Sequence, residues 1–392
     1  MNGHPMHGLE DLFRARFGAG PVHAVRAPGR VNLIGDHTDY NGLPVFPMAL
    51  QREIRVAFRA RGDRRVRLAS TGAFEKSEFE IGPAIPAEPP GDWSNYGRAA
   101  AQALASIHPH LGGIDALVWG DIPQAAGLSS SSALVVASAI ALLAANRLPW
   151  DPGALAALLA RGERYVGTRG GGMDQTVCLC ARQGHALRIG FTPFAWTPVP
   201  VPPDWVFLVG NSLVVADKSL GARERYNATP ARCREALERS GLGASYPEAM
   251  AGRPLPDLLA EAGRKLGGNL LGAFRHVVTE AARVDRAEAA MRAGDLGSFG
   301  AAMNASHDSL SRDLEVSCPQ LDELVAAFLS AGAAGARVTG AGFGGCVVAL
   351  CERTRAEAVA GSVQRAFYEP RGADADQHLF AAEPAAGAGI IA

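Results

Sequence analysis

The sequence has little lysine: Lys76, Lys218 and Lys265 are the only ones, and the remaining basic residues are arginines. Basic and acidic side chains nearly cancel, 38 against 39, leaving a formal net charge of -1. No basic cluster interleaved with aromatics occurs, which excludes a nucleic-acid binder. Cysteine is also sparse. The six residues (Cys178, Cys180, Cys233, Cys318, Cys346 and Cys351) form no CxxC pair. In apolar surroundings they read as reduced, buried thiols rather than a disulfide framework. Long apolar runs are missing too: Ala133 to Ala145 falls short of the roughly 20 residues that span a bilayer. The opening MNGHPMHGLEDLF has neither a basic n-region nor an apolar h-region, so no secretory signal is expected. The expectation is a cytoplasmic protein with no membrane partner.

What the chain does have is size and pattern. Its 392 residues, 48% hydrophobic and 20% charged, suffice for two domains with cores of their own. Helical spacing appears at 9–17, and strands are expected at 22–26 and 31–34 around an Ala27-Pro28-Gly29 turn. Further strands are expected at 54–60, 66–70 and 114–119, with helices at 94–107, 129–146 and 153–166. After strands at 185–190 and 205–211, residues 230–330 read mainly as helix, and strands at 336–339 and 346–351 flank GAGFGG. The Ala/Gly/Pro tail after 382 is expected to be poorly ordered. Strands followed by helices indicate an α+β protein in two halves, divided near 180–200.

Three stretches carry chemistry. In GDIPQAAGLSSSSALVVASAIAL (120–142), a turn of small residues opens a wholly apolar helix. Free N–H groups and the positive end of the dipole make such a helix start an anion site. One serine would suffice as an N-cap, and four exceed that need. No lysine follows the glycine as in a Walker A loop, so the backbone and a metal must carry the phosphate charge. In RYVGTRGGGMDQ (164–175), three glycines permit close main-chain approach and deliver Asp174, which is suited to be a base, a metal ligand or an anchor. VTGAGFGGCVVAL (338–350) matches GxGxxG, but a strand follows it rather than a helix, which argues against a dinucleotide-binding turn.

A fourth stretch, GRVNLIGDHTDYNG (29–42), packs Asp36, His37, Thr38, Asp39, Tyr40 and Asn41 just after a strand. By residue type this suits a metal site, a hydrolase centre, a sugar pocket or a turn. No further His or Cys cluster completes a zinc site. Arg30 is placed to pair with anionic chemistry.

These motifs, in this order, resemble the galactokinase family, within the superfamily of galactokinase, homoserine kinase, mevalonate kinase and phosphomevalonate kinase. APGRVNLIGDHTDYNG resembles the galactokinase signature, PQAAGLSSSSAL the superfamily's phosphate loop, and VTGAGFGGC its third motif. DWSNY (92–96), RHVVTEAARV (275–284) and SHDSLSRDLEVSCPQLDEL (306–324) extend the resemblance over nearly the whole chain. ERYVGTRGGGMDQ and the four-serine loop look closer to the eukaryotic-type branch, which includes N-acetylgalactosamine kinases.

The resemblance implies ATP-dependent phosphorylation of a sugar's anomeric hydroxyl, with galactose the leading substrate. It implies an N-terminal mixed-sheet domain that binds ATP and sugar (1–190) and a C-terminal ferredoxin-like domain (191–392), with the active site between them. Carried over by position, Asp174 is the catalytic carboxylate and Arg30 its partner. Ser131 and Glu163 hold Mg²⁺, while Gly127, Ser129 and Ser130 line the phosphates. Trp93 stacks adenine, and Asp36, His37, Asp39, Gly172 and Tyr226 contact the sugar. A monomer is expected, and the sequence points to no protein partner.

Two departures bear on the sugar. Position 36 is Asp where the family carries Glu, and Ala228-Thr229-Pro230 follows Tyr226-Asn227 in place of an Arg-rich segment. The alternatives are a kinase for N-acetylgalactosamine, L-arabinose or galacturonate, an inactive sugar sensor, or a kinase for a non-sugar alcohol. The serine loop, Asp174 and Arg30 are all present, which disfavours the sensor. The HTDY cluster disfavours the non-sugar alcohol.

Overall fold

The structure is a computed structural model. It describes residues 6–123, 126–167, 170–214 and 220–391, without the side chains of 6–7 and 220–226. The chain opens with helix α1 (Met6–Phe17) and strands β1 (His23–Ile34), β2 (Phe46–Ala60), β3 (Arg65–Ser70) and β4 (Ser77–Glu80). Helix α2 (Ser94–Ala105) and strand β5 (Ile114–Gly120) precede helices α3 (Ser130–Ala145), α4 (Pro152–Gly162) and α5 (Met173–Cys180). The hairpin β6 (His185–Phe191) and β7 (Phe194–Pro200) leads to β8 (Trp205–Asn211). A helical stretch follows: α6 (Leu220–Ser240), α7 (Tyr246–Met250), α8 (Leu255–Lys265), α9 (Gly268–Ala293), α10 (Leu296–Arg312) and α11 (Pro319–Ser330). Strands β9 (Gly335–Thr339) and β10 (Cys346–Glu352), helices α12 (Ala356–Val363) and α13 (Ala375–His378), and strands β11 (Leu379–Ala382) and β12 (Gly389–Ile390) complete the chain.

Among the described residues, a six-stranded sheet runs in the order β12-β1-β2-β5-β3-β4, antiparallel except for the β3–β5 pair. A four-stranded antiparallel sheet runs β11-β8-β10-β9, and β6 pairs with β7 apart from both. Helix α3 lies on the first sheet with α2 and α5 beside it, which is why its residues are apolar all round rather than on one stripe. On the other face, Leu9 and Phe13 of α1 pack against Ala57 and Leu117. The C-terminal sheet buries Val338, Val347 and Ala349 against α9, α10 and α11.

Three expectations are corrected. Strand β1 does not break at Ala27-Pro28-Gly29 but runs through it with a register shift between Pro28 and Arg30. Such a bulge re-aims the following side chain, here Arg30. The hairpin β6–β7 straddles the division expected at 190, and Val45 bridges to Ile189, so this segment stays with the first sheet. The tail is ordered as well. Ala385 N–H donates to Ala49 O at 3.0 Å, Ala388 N–H to Cys178 O at 2.7 Å, and Ile391 N–H to Ala24 O at 2.9 Å. Its small residues allow this close backbone pairing, which composition alone does not reveal: a Cβ on Gly387 would lie 2.6 Å from Leu179 O.

The two halves meet through buried charge. Arg337 of β9 is fully buried and bonds Asp36, while its Nη1 donates to Asn32 O at 3.1 Å and its Nε to Ser306 Oγ at 3.1 Å. Glu280 of α9 accepts from Gly35 N–H at 2.9 Å, from Ser306 Oγ at 2.6 Å and from Arg283 Nε at 2.6 Å. Burial opposes the charge on Glu280, but Arg283, His276 and Arg337 around it hold its carboxyl down at about 2. Breaking a buried ion pair from one side typically costs about 3–5 kcal/mol. Glu280→Gln is therefore expected to lose stability of that order in urea unfolding at pH 7. A change within about 0.5 kcal/mol, typical of a surface site, would show that the cluster is not buried in solution.

Candidate active site

The bulge in β1 decides where the site begins. Gly29 lies against the serine loop so closely that a Cβ would come 2.9 Å from Leu128 O, and Arg30 N–H donates to that carbonyl at 3.1 Å. The Arg30 side chain then reaches across the loop. Its Nη1 donates to Gly127 O at 2.6 Å. Its Nε and Nη2 grip Asp174 Oδ1 and Oδ2 at 2.7 and 2.9 Å, a two-pronged pair that fixes both position and plane of the carboxylate. Arg30 is buried, while the Asp174 side chain keeps 25% of its surface.

The serine loop completes this cluster. Ser129 adopts the left-handed region at φ +59°, uncommon for a residue with a Cβ. Its hydroxyl does not cap α3 but bonds Asp174 Oδ2. The capping alternative therefore fails for this residue. Ser130 and Ser131 are the first two residues of α3, so their N–H groups stand at the positive end of the helix. From the other half of the molecule, the GAGFGG turn closes over the loop: a Cβ on Gly340 would meet Gly127 O at 2.8 Å. Residues 124–125 of this motif lie outside the described residues.

Behind the serines sits Glu163, in a 3-10 turn (Glu163–Val166) that ends α4 earlier than the sequence suggested. Its Oε1 accepts from Ser132 Oγ at 2.7 Å, and its Oε2 lies 3.3 Å from where a Cβ on Gly170 would be. Ser132, which sequence reasoning did not single out, thus bonds Glu163. The signal was available, since Ser132 ends the serine run.

The HTDY cluster stands beside this centre. Asp39 Oδ2 accepts from Gly171 N–H at 3.0 Å, and a Cβ at Gly171 would sit 2.4 Å from Tyr40 N. Gly171 is therefore the glycine pressed against this wall. Gly172, expected there, caps α5 at φ +105° with its α-carbon turned to Ala160. Burial, reinforced by the nearby Asp174 charge, raises Asp39 to about 6. His37 sits at φ +63°, buried, with Nδ1 2.7 Å from Tyr40 Oη. Its Nε2, near the Ala341 backbone, lacks a well-formed hydrogen bond among the described residues. Asp36 turns away from this face and is 2% exposed, its carboxylate held by Arg337.

Asp39, Tyr40 and Gly170–Gly172 form one end of a cleft of about 890 Å³ that continues to α4 and α6. Tyr226 lies outside the described side chains. Trp93 precedes α2, its Nε1 donating to Glu75 O at 3.0 Å and its ring 5.6 Å from that of Phe74. Phe74 is 43% exposed, so the two rings form an open aromatic corner. No group of three or more His, Cys, Asp or Glu suited to a metal occurs among the described residues. No helix among them is long and apolar enough to cross a membrane.

A two-domain α/β architecture, a serine-opened helix and an Arg-gripped aspartate between the halves define a small-molecule kinase. Three family patterns match: "Galactokinase galactose-binding signature" over residues 11–60, "GHMP kinases N terminal domain" over 95–182 and "GHMP kinases C terminal" over 287–369. The chain is 39% identical over 383 residues to a galactokinase of Roseiflexus sp. (strain RS-1), covering 97% of this chain and 96% of that one. With a Streptomyces coelicolor galactokinase it shares 36% over 385 residues, 96% of each. A crystal structure of Lactococcus lactis galactokinase complexed with galactose superimposes with a TM-score of 0.89 at 30% identity, covering 98% of this chain and 99% of that one. Methanococcus jannaschii mevalonate kinase shares the fold, with a TM-score of 0.64 at 17% identity over 93% of this chain and 99% of that one. The chain belongs to the galactokinase family.

Proposed function

We propose that this protein transfers the terminal phosphoryl group of ATP to the anomeric hydroxyl of galactose, giving galactose 1-phosphate. The observation that carries this is the Asp174 carboxylate, held by Arg30 and Ser129 where the serine loop, α5 and the HTDY cluster converge. The Lactococcus lactis relative, solved with galactose, supports the choice of sugar.

An ionised carboxylate offers about four acceptor positions. Arg30 and Ser129 occupy one on Oδ1 and two on Oδ2. The remaining position on Oδ1 accepts the sugar hydroxyl and its proton as phosphoryl transfer proceeds. The Arg30 guanidinium and the positive end of the α3 dipole oppose charge developing on the transferred group. Gly127, Ser129, Ser130 and Ser131 line the phosphates, and the Trp93–Phe74 corner takes the adenine.

Mg²⁺ takes few protein ligands and keeps waters and phosphate oxygens. The Glu163 carboxylate with the hydroxyls of Ser131 and Ser132 at the helix start fits that demand as a hard, all-oxygen set. Bound there, the ion would supply positive charge to the phosphates.

The sugar lies against His37, Asp39 and the backbone of Gly171–Gly172. The lone Nε2 of His37 is a ready partner for a sugar hydroxyl, and a site built to pair hydroxyls rejects ligands that leave one unpaired.

Two results test this. In an ATP-consumption screen over galactose, N-acetylgalactosamine, L-arabinose, galacturonate and glucose, galactose is expected to give the highest kcat/KM, with a 1-phosphate product by ³¹P NMR. A better rate on another sugar would reassign the substrate. With Asp39 at about 6, the wall is charged above that pH and gains a proton below it. KM for galactose is therefore expected to rise as pH falls from 7 to 5, and this rise should vanish in Asp39→Asn. Identical KM profiles in the two proteins would remove Asp39 from the sugar wall.

A further inference from the structure

The turn that carries His37 is held from both halves of the molecule. Gly35 to Thr38 belongs to the N-terminal half, yet bonds from the C-terminal half fix its first two residues, Gly35 and Asp36. Gly35 N–H donates to Glu280, the Asp36 carbonyl accepts from His276 Nε2 at 3.0 Å, and the Asp36 carboxylate is bound by Arg337. Arg337 also bonds the carbonyl of Asn32 at 3.1 Å, two residues before the turn leaves β1. Within the N-terminal half, Asn41 Nδ2 donates to the His37 carbonyl at 2.8 Å, His37 Nδ1 lies 2.7 Å from Tyr40 Oη, and Thr38 Oγ1 bonds the carbonyls of Gly35 and Pro44 at 2.8 and 2.7 Å.

This turn needs holding. Gly35 and His37 both adopt positive φ, +96° and +63°, and a residue with a Cβ pays a steric cost there. A Cβ on Gly35 would strike Val284 of α9 at 2.8 Å, so the turn is also pressed onto the opposite half.

The charges show which residue does the holding. Asp36, Glu280, Arg283 and Arg337 form a set of two carboxylates and two guanidiniums, with side chains 3%, 0%, 9% and 0% exposed. A buried set is tolerable only when its charges are matched. Glu280 balances Arg283 at 2.6 Å and stands 3.8 Å from Arg337. That leaves Asp36 as the close counter-ion of Arg337. Without Arg337, Asp36 would be a lone buried anion and would have to move, taking His37 with it.

We propose that Arg337 is a positioning residue for the sugar site, acting through Asp36 to set the turn that presents His37. Part of the determinant of sugar affinity then lies outside the 11–60 signature, on β9 of the other half. This rests on the proposed reading of the site as a sugar site, and its test separates the two.

The test compares wild type with Arg337→Gln, Arg337→Lys, Asp36→Asn and the double variant Asp36→Asn/Arg337→Gln. Phe328→Leu, a C-terminal core change, serves as a control for lost stability. Arg337→Gln is expected to raise KM for galactose at least tenfold while KM for ATP stays within twofold, with Arg337→Lys between it and wild type. The double variant should be no worse than the poorer single one, because both remove the same link. Equal rises in the two KM values, as destabilisation alone would give in Phe328→Leu, would overturn the proposal, as would multiplying effects in the double variant. Amide exchange decides the clamp whatever the substrate proves to be. Exchange at 35–43 should quicken at least tenfold in Arg337→Gln with 56–58 of β2 unchanged, and unchanged exchange at 35–43 would overturn it. If wild type turns over no galactose, the reading of the site fails while exchange still judges Arg337.

Discussion

The structure turns on one carboxylate. Asp174 reaches the centre on the first turn of a short helix, and it is fixed there by Arg30 from a strand and Ser129 from a loop. These three residues come from segments 45 to 144 positions apart, so their meeting depends on backbone features that have no other purpose. The bulge at Pro28–Arg30 aims the arginine. The left-handed Ser129 turns its hydroxyl away from the cap position. Gly29 and Gly340 let two carbonyls of the serine loop approach from either side. Each feature carries a local cost, and residues held in sparsely populated conformations persist where the surroundings over-determine them.

Around that centre, the two halves divide the work and share one buried seam. The serine loop and Trp93 belong to the N-terminal half, and the cap over the loop comes from the GAGFGG turn of the C-terminal half. The seam itself is polar: Asp36, Glu280, Arg283 and Arg337, with Asn32 and Thr339 exchanging hydrogen bonds beside them. Such a seam adds little net stability compared with an apolar one, and each of its charges depends on a partner. The HTDY cluster is mounted on it through Asp36 and Gly35. The Asp at 36 makes sense in these terms, since its buried carboxylate is the counter-ion of Arg337 across the seam.

Much of this was legible in the sequence, and what was not shares a cause. Helix α3, the serine loop and Asp174 announce themselves because small residues, hydroxyls and glycines at a helix start have one physical use in common, binding anions. Arg30 was legible from its place at the head of the HTDY stretch. The continuity of β1 was hidden because Pro-Gly reads locally as a turn, while the opposing strand turns it into a bulge. The ordered tail was hidden because it is held by backbone pairing, to which its Ala and Gly side chains give no clue. That Gly171 is the glycine bonded to Asp39 is a one-residue matter that only the packed backbone shows. Arg337 was passed over because an arginine in a five-residue strand looks like a surface residue until its partner, 301 positions away, is known.

The central claim is that Asp174 takes the proton of the attacking hydroxyl. It is tested most directly by Asp174→Asn, which keeps the side chain's shape while removing its charge. The account predicts that kcat on galactose falls by at least a thousandfold, within the general acid–base range of about 10²–10⁴, while calorimetric Kd values for ATP and galactose change less than about fivefold. Turnover within tenfold of wild type, with both ligands still bound, would contradict it.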